Sequence, residues 1–147
     1  MTCIFCQIIK REQPASFIYE DDLVVAFLDV YPINEGHVLI TTKRHEEKFC
    51  NLTENEVSHL FKVGQKILKA IHVSDIKCEG ANLFLSDGPI AGQEVMHSHL
   101  HIAPRFEGDG HEVGFSHSDS ELYTRNHLDT IANKIKKHIF CAVRAQY

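Results

Sequence analysis

No run in this sequence approaches the roughly 20 apolar residues that a membrane span needs, and the opening Met1-Thr2-Cys3-Ile4-Phe5-Cys6 is too short and too polar-flanked for a secretory signal. Both absences lead us to expect a cytoplasmic protein with no membrane partner. There is no basic tract either. Lys and Arg are scattered and the net charge is −5, so a long nucleic acid would be repelled rather than gathered. The cysteines are 5 in number and irregularly spaced, which excludes a disulfide framework and fits a reducing compartment. Internal repeats, linkers and low-complexity stretches are also missing. What remains is 147 residues, 44% hydrophobic and 24% charged, enough for one compact core. Histidine is the one residue in excess, with 11 copies.

Hydrophobic periodicity predicts the elements. Ile4, Phe5, Ile8 and Ile9 share one side of a short helical turn that ends before Pro14. Phe17-Ile18-Tyr19 and Leu23 to Leu28 read as strands joined through Glu20-Asp21-Asp22, and His37 to Thr42 reads as a third strand. Thr53 and Glu56 form a capping box, with Leu52 and Val57 at the staple positions. Beyond them Val57, Leu60, Phe61, Gly64, Ile67, Leu68 and Ile71 recur at helical spacing. Ala81 to Leu85 and His97 to Ala103 read as strands four and five, the latter ended by Pro104. Leu128, Ile131, Ala132, Ile135 and Ile139 mark a second amphipathic helix. The expectation is an α+β fold, a five-stranded, mainly antiparallel sheet with two amphipathic helices. A single domain spans residues 1–147, with its core at about 3–110 and a helical extension at about 119–140.

The segment His97-Ser98-His99-Leu100-His101 carries the chemistry. Alternate side chains of a strand share a face, so the three imidazoles are expected together, with Leu100 and Ile102 turned to the core. Each ring must satisfy two nitrogens, and an unpaired buried polar atom costs roughly 1–3 kcal/mol, so the pattern implies a polar site rather than packing. A solvated face, a zinc site of His-x-His type and imidazole catalysis are the three readings. The glycine-rich turn Ser86 to Gly92 just before the strand favours catalysis on an anion, because its backbone N–H groups could hold one.

Gly92-Gln93-Glu94-Val95-Met96-His97-Ser98-His99-Leu100-His101 resembles the signature of the histidine triad family of nucleotide hydrolases and transferases. The opening Cys3 to Ile9, the segment Ala26 to Pro32, Gly36 to Ile40 and His45 resemble further family segments in order, over residues 3–110. The resemblance implies that His99 is the nucleophile attacking the α-phosphorus, that His101 lies near the leaving group, and that His37 supports a proton relay. It implies that Asp29 accepts from the ribose hydroxyls, that Ile4, Phe5, Ile8, Phe27, Leu28 and Val30 wall the base, and that Ser86, Gly92, Gln93, Glu94 and Val95 flank the phosphate. It further implies a homodimer joined edge to edge through its sheets.

Two positions depart from the family pattern. Ser86 stands where members carry Asn or Gln, and Glu94 stands where some carry a small hydroxyl residue; a carboxylate facing phosphate would be repulsive. Members sharing this opening hold zinc with the counterparts of Cys3, Cys6, His45 and His97, so the resemblance implies a closed, structural zinc site; no organic cofactor is expected. The leading expectation is a hydrolase of purine nucleoside phosphoramidates or related conjugates. A dinucleoside polyphosphate hydrolase, and a non-catalytic nucleotide- or zinc-binding interaction protein, are the alternatives. His59, His72, His111, His117, His127 and His138 are expected as surface or helix residues, and Cys50, Cys78 and Cys141 as small buried residues.

Overall fold

A computed structural model of the chain describes residues 3–112 and 124–144, and the side chains of 3–112 and 124–139. Residues 1–111 form one compact unit and residues 112–147 a second. In the first, helix α1 (Ile4–Ile9) precedes strands β1 (Phe17–Glu20), β2 (Val24–Leu28) and β3 (Val38–Thr42). Helix α2 (Glu54–His72), strand β4 (Gly80–Phe84), a 3-10 turn (Pro89–Ala91) and strand β5 (His99–Arg105) follow. The sheet order is β1-β2-β3-β5-β4, and every neighbouring pair is antiparallel. In the second unit, α3 (Arg125–Arg144) covers the second helical pattern; residues 119–123 of the expected extension, and His117, lie outside the described residues.

Period-two alternation sorts the sheet into two faces. Val24, Ala26, Val38, Ile40, Leu100 and Ile102 pack on one side with Leu60, Val63, Ile67 and Ile71 of α2. The odd-numbered Val25, Phe27 and Leu39 pack with Phe5 and Ile8 of α1. One face therefore builds the core, and the other is left to build a site.

Local chemistry holds these elements. Thr53 accepts from the Glu56 N–H at 3.2 Å and Glu56 accepts from the Thr53 N–H at 2.8 Å, the expected capping box. Arg44 grips the Glu56 carboxylate with two bonds of 2.8 Å, which holds that carboxyl down at about 2. A Cβ on Gly64 would come within 3.1 Å of Leu100 Cδ2, so glycine lets α2 approach β5. In the β1–β2 turn, Asp21 accepts from the Leu23 and Val24 amides at 2.9 Å each. It also binds His59 at 2.6 Å, so His59 ties α2 to that turn rather than standing free at the surface.

Three expectations are corrected. Strand β5 begins at His99 rather than His97, and it runs through Pro104 to Arg105. Pro104 pairs with Ala81 of β4 while the Asn34 side chain donates to its carbonyl at 2.9 Å. A proline lacks only a donor, and Pro104 lies beyond the last β3–β5 pair, Val38 with Ile102, where its carbonyl is taken by a side chain. Cys50 is exposed rather than buried, on the 3-10 turn Phe49–Asn51. The side chain of Cys141 lies outside the described residues.

Candidate active site and metal centre

The second sheet face opens into a cavity of about 480 Å³, within the range of small-molecule sites. Strand register assembles its catalytic wall: Leu39 stands opposite His101, Thr41 opposite His99, and Phe84 opposite His101. Ile4, Phe5, Ile8, Phe27, Leu28, Asp29, Val30, Ser86, Gly92, Glu94, Val95, His37, His99 and His101 all line the cavity.

The expected trio divides. His97 precedes β5 and its ring turns away from the cavity, toward Cys3 and Cys6. Gln93 is also corrected: its side chain is buried and spent on the loop, accepting from the Gly88 N–H at 2.7 Å and donating to the carbonyls of Glu47 and Val95 at 2.7 and 3.1 Å. The amides of Ala91, Gly92 and Gln93 are likewise bound within the turn, to carbonyls of Gly88, Pro89 and Gly88. Gly92, at φ 88°, closes that turn in the left-handed region. The next amides, of Glu94 and Val95, have no bond among the described residues, which leaves them able to donate to an anion. Sequence reasoning missed Pro14, Tyr31, Ile33, Leu39 and Phe84, which also line the cavity. Phe84 stacks on His101 with centroids 4.3 Å apart and planes at 7°; only the β4–β5 register could have revealed it.

Backbone groups decide the tautomers. His99 Nδ1 lies 2.7 Å from the carbonyl of His97. A carbonyl only accepts, so Nδ1 carries the proton and Nε2 keeps its lone pair. The Ile33 N–H donates to His37 Nδ1 at 3.0 Å. His37 therefore carries its proton on Nε2, which donates to His101 Nδ1 at 3.0 Å. That leaves His101 with a proton on Nε2. One backbone amide thus fixes two rings, and the cavity receives a lone pair from His99 beside a donor from His101.

Burial keeps these rings neutral. It pushes His37 and His99 below the ordinary imidazole value, against the pull of Asp29, and it takes His101 down to about 4, helped by His99 and His37. Long-range 1H–15N spectra should therefore show a neutral Nδ1–H form for His99 and Nε2–H forms for His37 and His101 at pH 7. The opposite tautomers would undo the assignment. The stability consequence has a definite sign. A ring that titrates near 6.5 when unfolded and near 4 when folded binds more protons on unfolding, so acidification through that window weakens the fold.

Beside this cavity, Cys3, Cys6, His45 and His97 bring one ligand atom each within 4.8 Å of one another. His97 Nδ1 is 3.5 Å from Cys3 Sγ and 3.7 Å from Cys6 Sγ, and His45 Nδ1 is 3.3 Å from Cys6 Sγ. Ligands on a tetrahedral zinc, at about 2.3 Å for sulfur and 2.0–2.1 Å for nitrogen, stand about 3.6 Å apart. The His97 Nε2–H donates to the Thr42 carbonyl at 2.8 Å, which leaves Nδ1 with its lone pair toward the sulfurs, as a metal-binding ring requires. Burial and the neighbouring Cys3 push the Cys6 thiol up, a penalty that a cation between the sulfurs would reverse. The donor set and spacing fit a structural zinc.

A five-stranded antiparallel sheet thus presents three histidines, their tautomers fixed by the groups they meet, to a largely apolar cavity. The chain belongs to the histidine triad family: the HIT domain matches residues 10–108. An uncharacterized HIT-like protein of Methanocaldococcus jannaschii is 43% identical over 77% of this chain and 86% of its own. Among solved structures, a HIT family protein from Bacillus anthracis is 37% identical with a TM-score of 0.86, covering 94% of this chain and 97% of its own. The histidine triad nucleotide-binding protein of Candida albicans is 33% identical with a TM-score of 0.82, covering 94% and 97%. A zinc-bound histidine triad family protein from Mycobacterium smegmatis is 31% identical with a TM-score of 0.71, covering 93% and 97%. No helix among the described residues is long and apolar enough to cross a membrane.

Proposed function

We propose that this protein hydrolyses purine nucleoside phosphoramidates, or related nucleoside monophosphate conjugates, through a nucleotidyl group carried on His99. The observation that carries this reading is the His99 ring, pinned at Nδ1 by its own chain and presenting an unprotonated Nε2 in a nucleotide-sized cavity. The base would lie among Ile4, Phe27, Leu28 and Val30, with Asp29 accepting from the ribose hydroxyls. The Nε2 lone pair forms a bond to phosphorus as the phosphorus–nitrogen bond breaks. The Nε2–H of His101 gives its proton to the departing nitrogen, which leaves as a neutral amine. Water then attacks phosphorus and returns its proton to His101 Nε2, the bond to His99 breaks with its electron pair going back to Nε2, and the nucleoside monophosphate is released. Splitting the displacement in two lets a positioned neutral nucleophile approach an anionic centre that repels hydroxide.

Zinc would sit between Cys3, Cys6, His45 and His97, tying α1 to β3 and β5; it would supply stability and take no part in the chemistry. The reduced thiols it needs agree with a cytoplasmic location. The open outer edge of β4 supports a homodimer formed by sheet extension.

Turnover of adenosine 5′-phosphoramidate, compared with diadenosine tri- and tetraphosphate, tests the activity. The amidate should be cleaved with the higher kcat/KM. Preference for the polyphosphates would make the protein a dinucleoside polyphosphate hydrolase. Binding without turnover of any of them would make it a nucleotide-binding module.

A further inference from the structure

The cavity carries an unusual balance of charge for a site that receives a phosphate. Asp29 and Glu94 are its two acidic lining residues, and among the described residues the lining holds no Lys or Arg. The rings of His37, His99 and His101 are bound to backbone groups or to one another. Glu94 is exposed and lines the same cavity as His99. It follows the turn at Gly88–Gly92, and its amide and that of Val95 have no bond among the described residues.

Resting on the reading of this cavity as a nucleotide hydrolase site, we infer that Glu94 selects the leaving group: it favours an amine that bears a second, positive charge and disfavours a chain of further phosphates. The α-phosphoryl group of an amidate brings one negative charge, which the two amides and the His101 donor can meet. Each additional phosphate brings more negative charge toward a carboxylate with no cation to offset it, and like charges at such range repel. An ammonium on the leaving arm meets the same carboxylate attractively. Specificity then comes from a repulsive element as much as from an attractive one.

The test uses two adenosine 5′-phosphoramidates of matched size, one N-linked to 1,4-diaminobutane and one to pentylamine, together with calorimetric affinities for AMP and ADP. Wild-type protein should cleave the cationic amidate with kcat/KM about two- to fivefold above the neutral one, the scale of a solvent-exposed charge pair. It should bind ADP more weakly than AMP. In Glu94→Gln and Glu94→Ser both ratios should move toward unity, and raised salt should shrink them in the wild type. Ratios unchanged by either substitution, or a wild-type preference for the neutral amidate or for ADP, would overturn the role of Glu94. Should neither amidate be cleaved, the hydrolase reading fails by itself, and the AMP-to-ADP ratio in wild type and variants still decides whether Glu94 repels added phosphate.

Discussion

Replacing His99 by Asn should lower kcat for phosphoramidate hydrolysis by at least about a thousandfold while leaving affinity for the nucleoside monophosphate within a few fold. Asn keeps most of the ring's volume and can still donate toward the His97 carbonyl that Nδ1 contacts at 2.7 Å, so the wall of the cavity stays in place. What it lacks is a nitrogen lone pair able to bond phosphorus. The apolar walls and Asp29 remain, and these carry the nucleoside. Acid-quenched turnover of the wild type, followed by intact-mass measurement, should trap one nucleotidyl group on that ring. A variant that retains its rate, with no adduct on the wild-type ring, would leave His99 without a covalent role. The pair of measurements separates chemistry from binding, because a damaged fold would lose both.

The second large effect concerns stability. Protein prepared without chelator should carry one zinc per chain, and its removal, or Cys6→Ser, should lower the thermal midpoint by roughly 10 °C or more. A ligand held at a thousand times its dissociation constant stabilises by about 4 kcal/mol, and 1 kcal/mol moves a chain of this size by about 2–4 °C. The physical reason is that the site joins distant parts of the chain. Cys3 and Cys6 flank or lie within α1, His45 follows β3, and His97 precedes β5. Bringing these together in the unfolded chain costs loop-closure entropy that the metal offsets only in the folded state. Zinc loss should also become easier as pH falls, since every ligand must shed its proton to bind, although burial, which holds His97 down at about 4, delays that competition at this ring. Metal analysis that finds no zinc, with a melting point indifferent to chelator, would contradict this. The two sites thus separate in experiment: His99→Asn should lose rate with its fold intact, Cys6→Ser metal and stability.

Much of this was legible before any coordinates. The Thr53–Glu56 box and the apolar spacing from Val57 to Ile71 are local patterns, and α2 follows them closely. The alternation around Leu100 and Ile102 correctly assigns those residues to the core. The errors have a common cause. Pro104 reads as a terminator, and only its partners show that it pairs with Ala81 while its carbonyl is taken by the Asn34 side chain, past the end of the β3 pairing. Gln93 and Phe84 were misjudged because one is consumed by a turn it helps to close, and the other is delivered to His101 by a neighbouring strand. His59 looks like an ordinary polar position on a helix until Asp21 arrives from the other end of the fold.

By itself the amino-acid order determined the helices, the strands, the inward-facing residues and the histidines as the carriers of chemistry. Those properties depend on neighbours a few positions apart, where period and residue type suffice. The tertiary structure alone decided what each histidine does. Two rings at alternate positions, His97 and His99, end in different sites, because the first lies before the strand begins. The Ile33 amide, reaching His37 across a loop, settles which nitrogens of His37 and His101 bear protons. Protonation and ligation are set by the atoms a ring meets in space; for His99 and His37 these belong to the neighbouring chain, and for His101 and His97 they come from segments far apart.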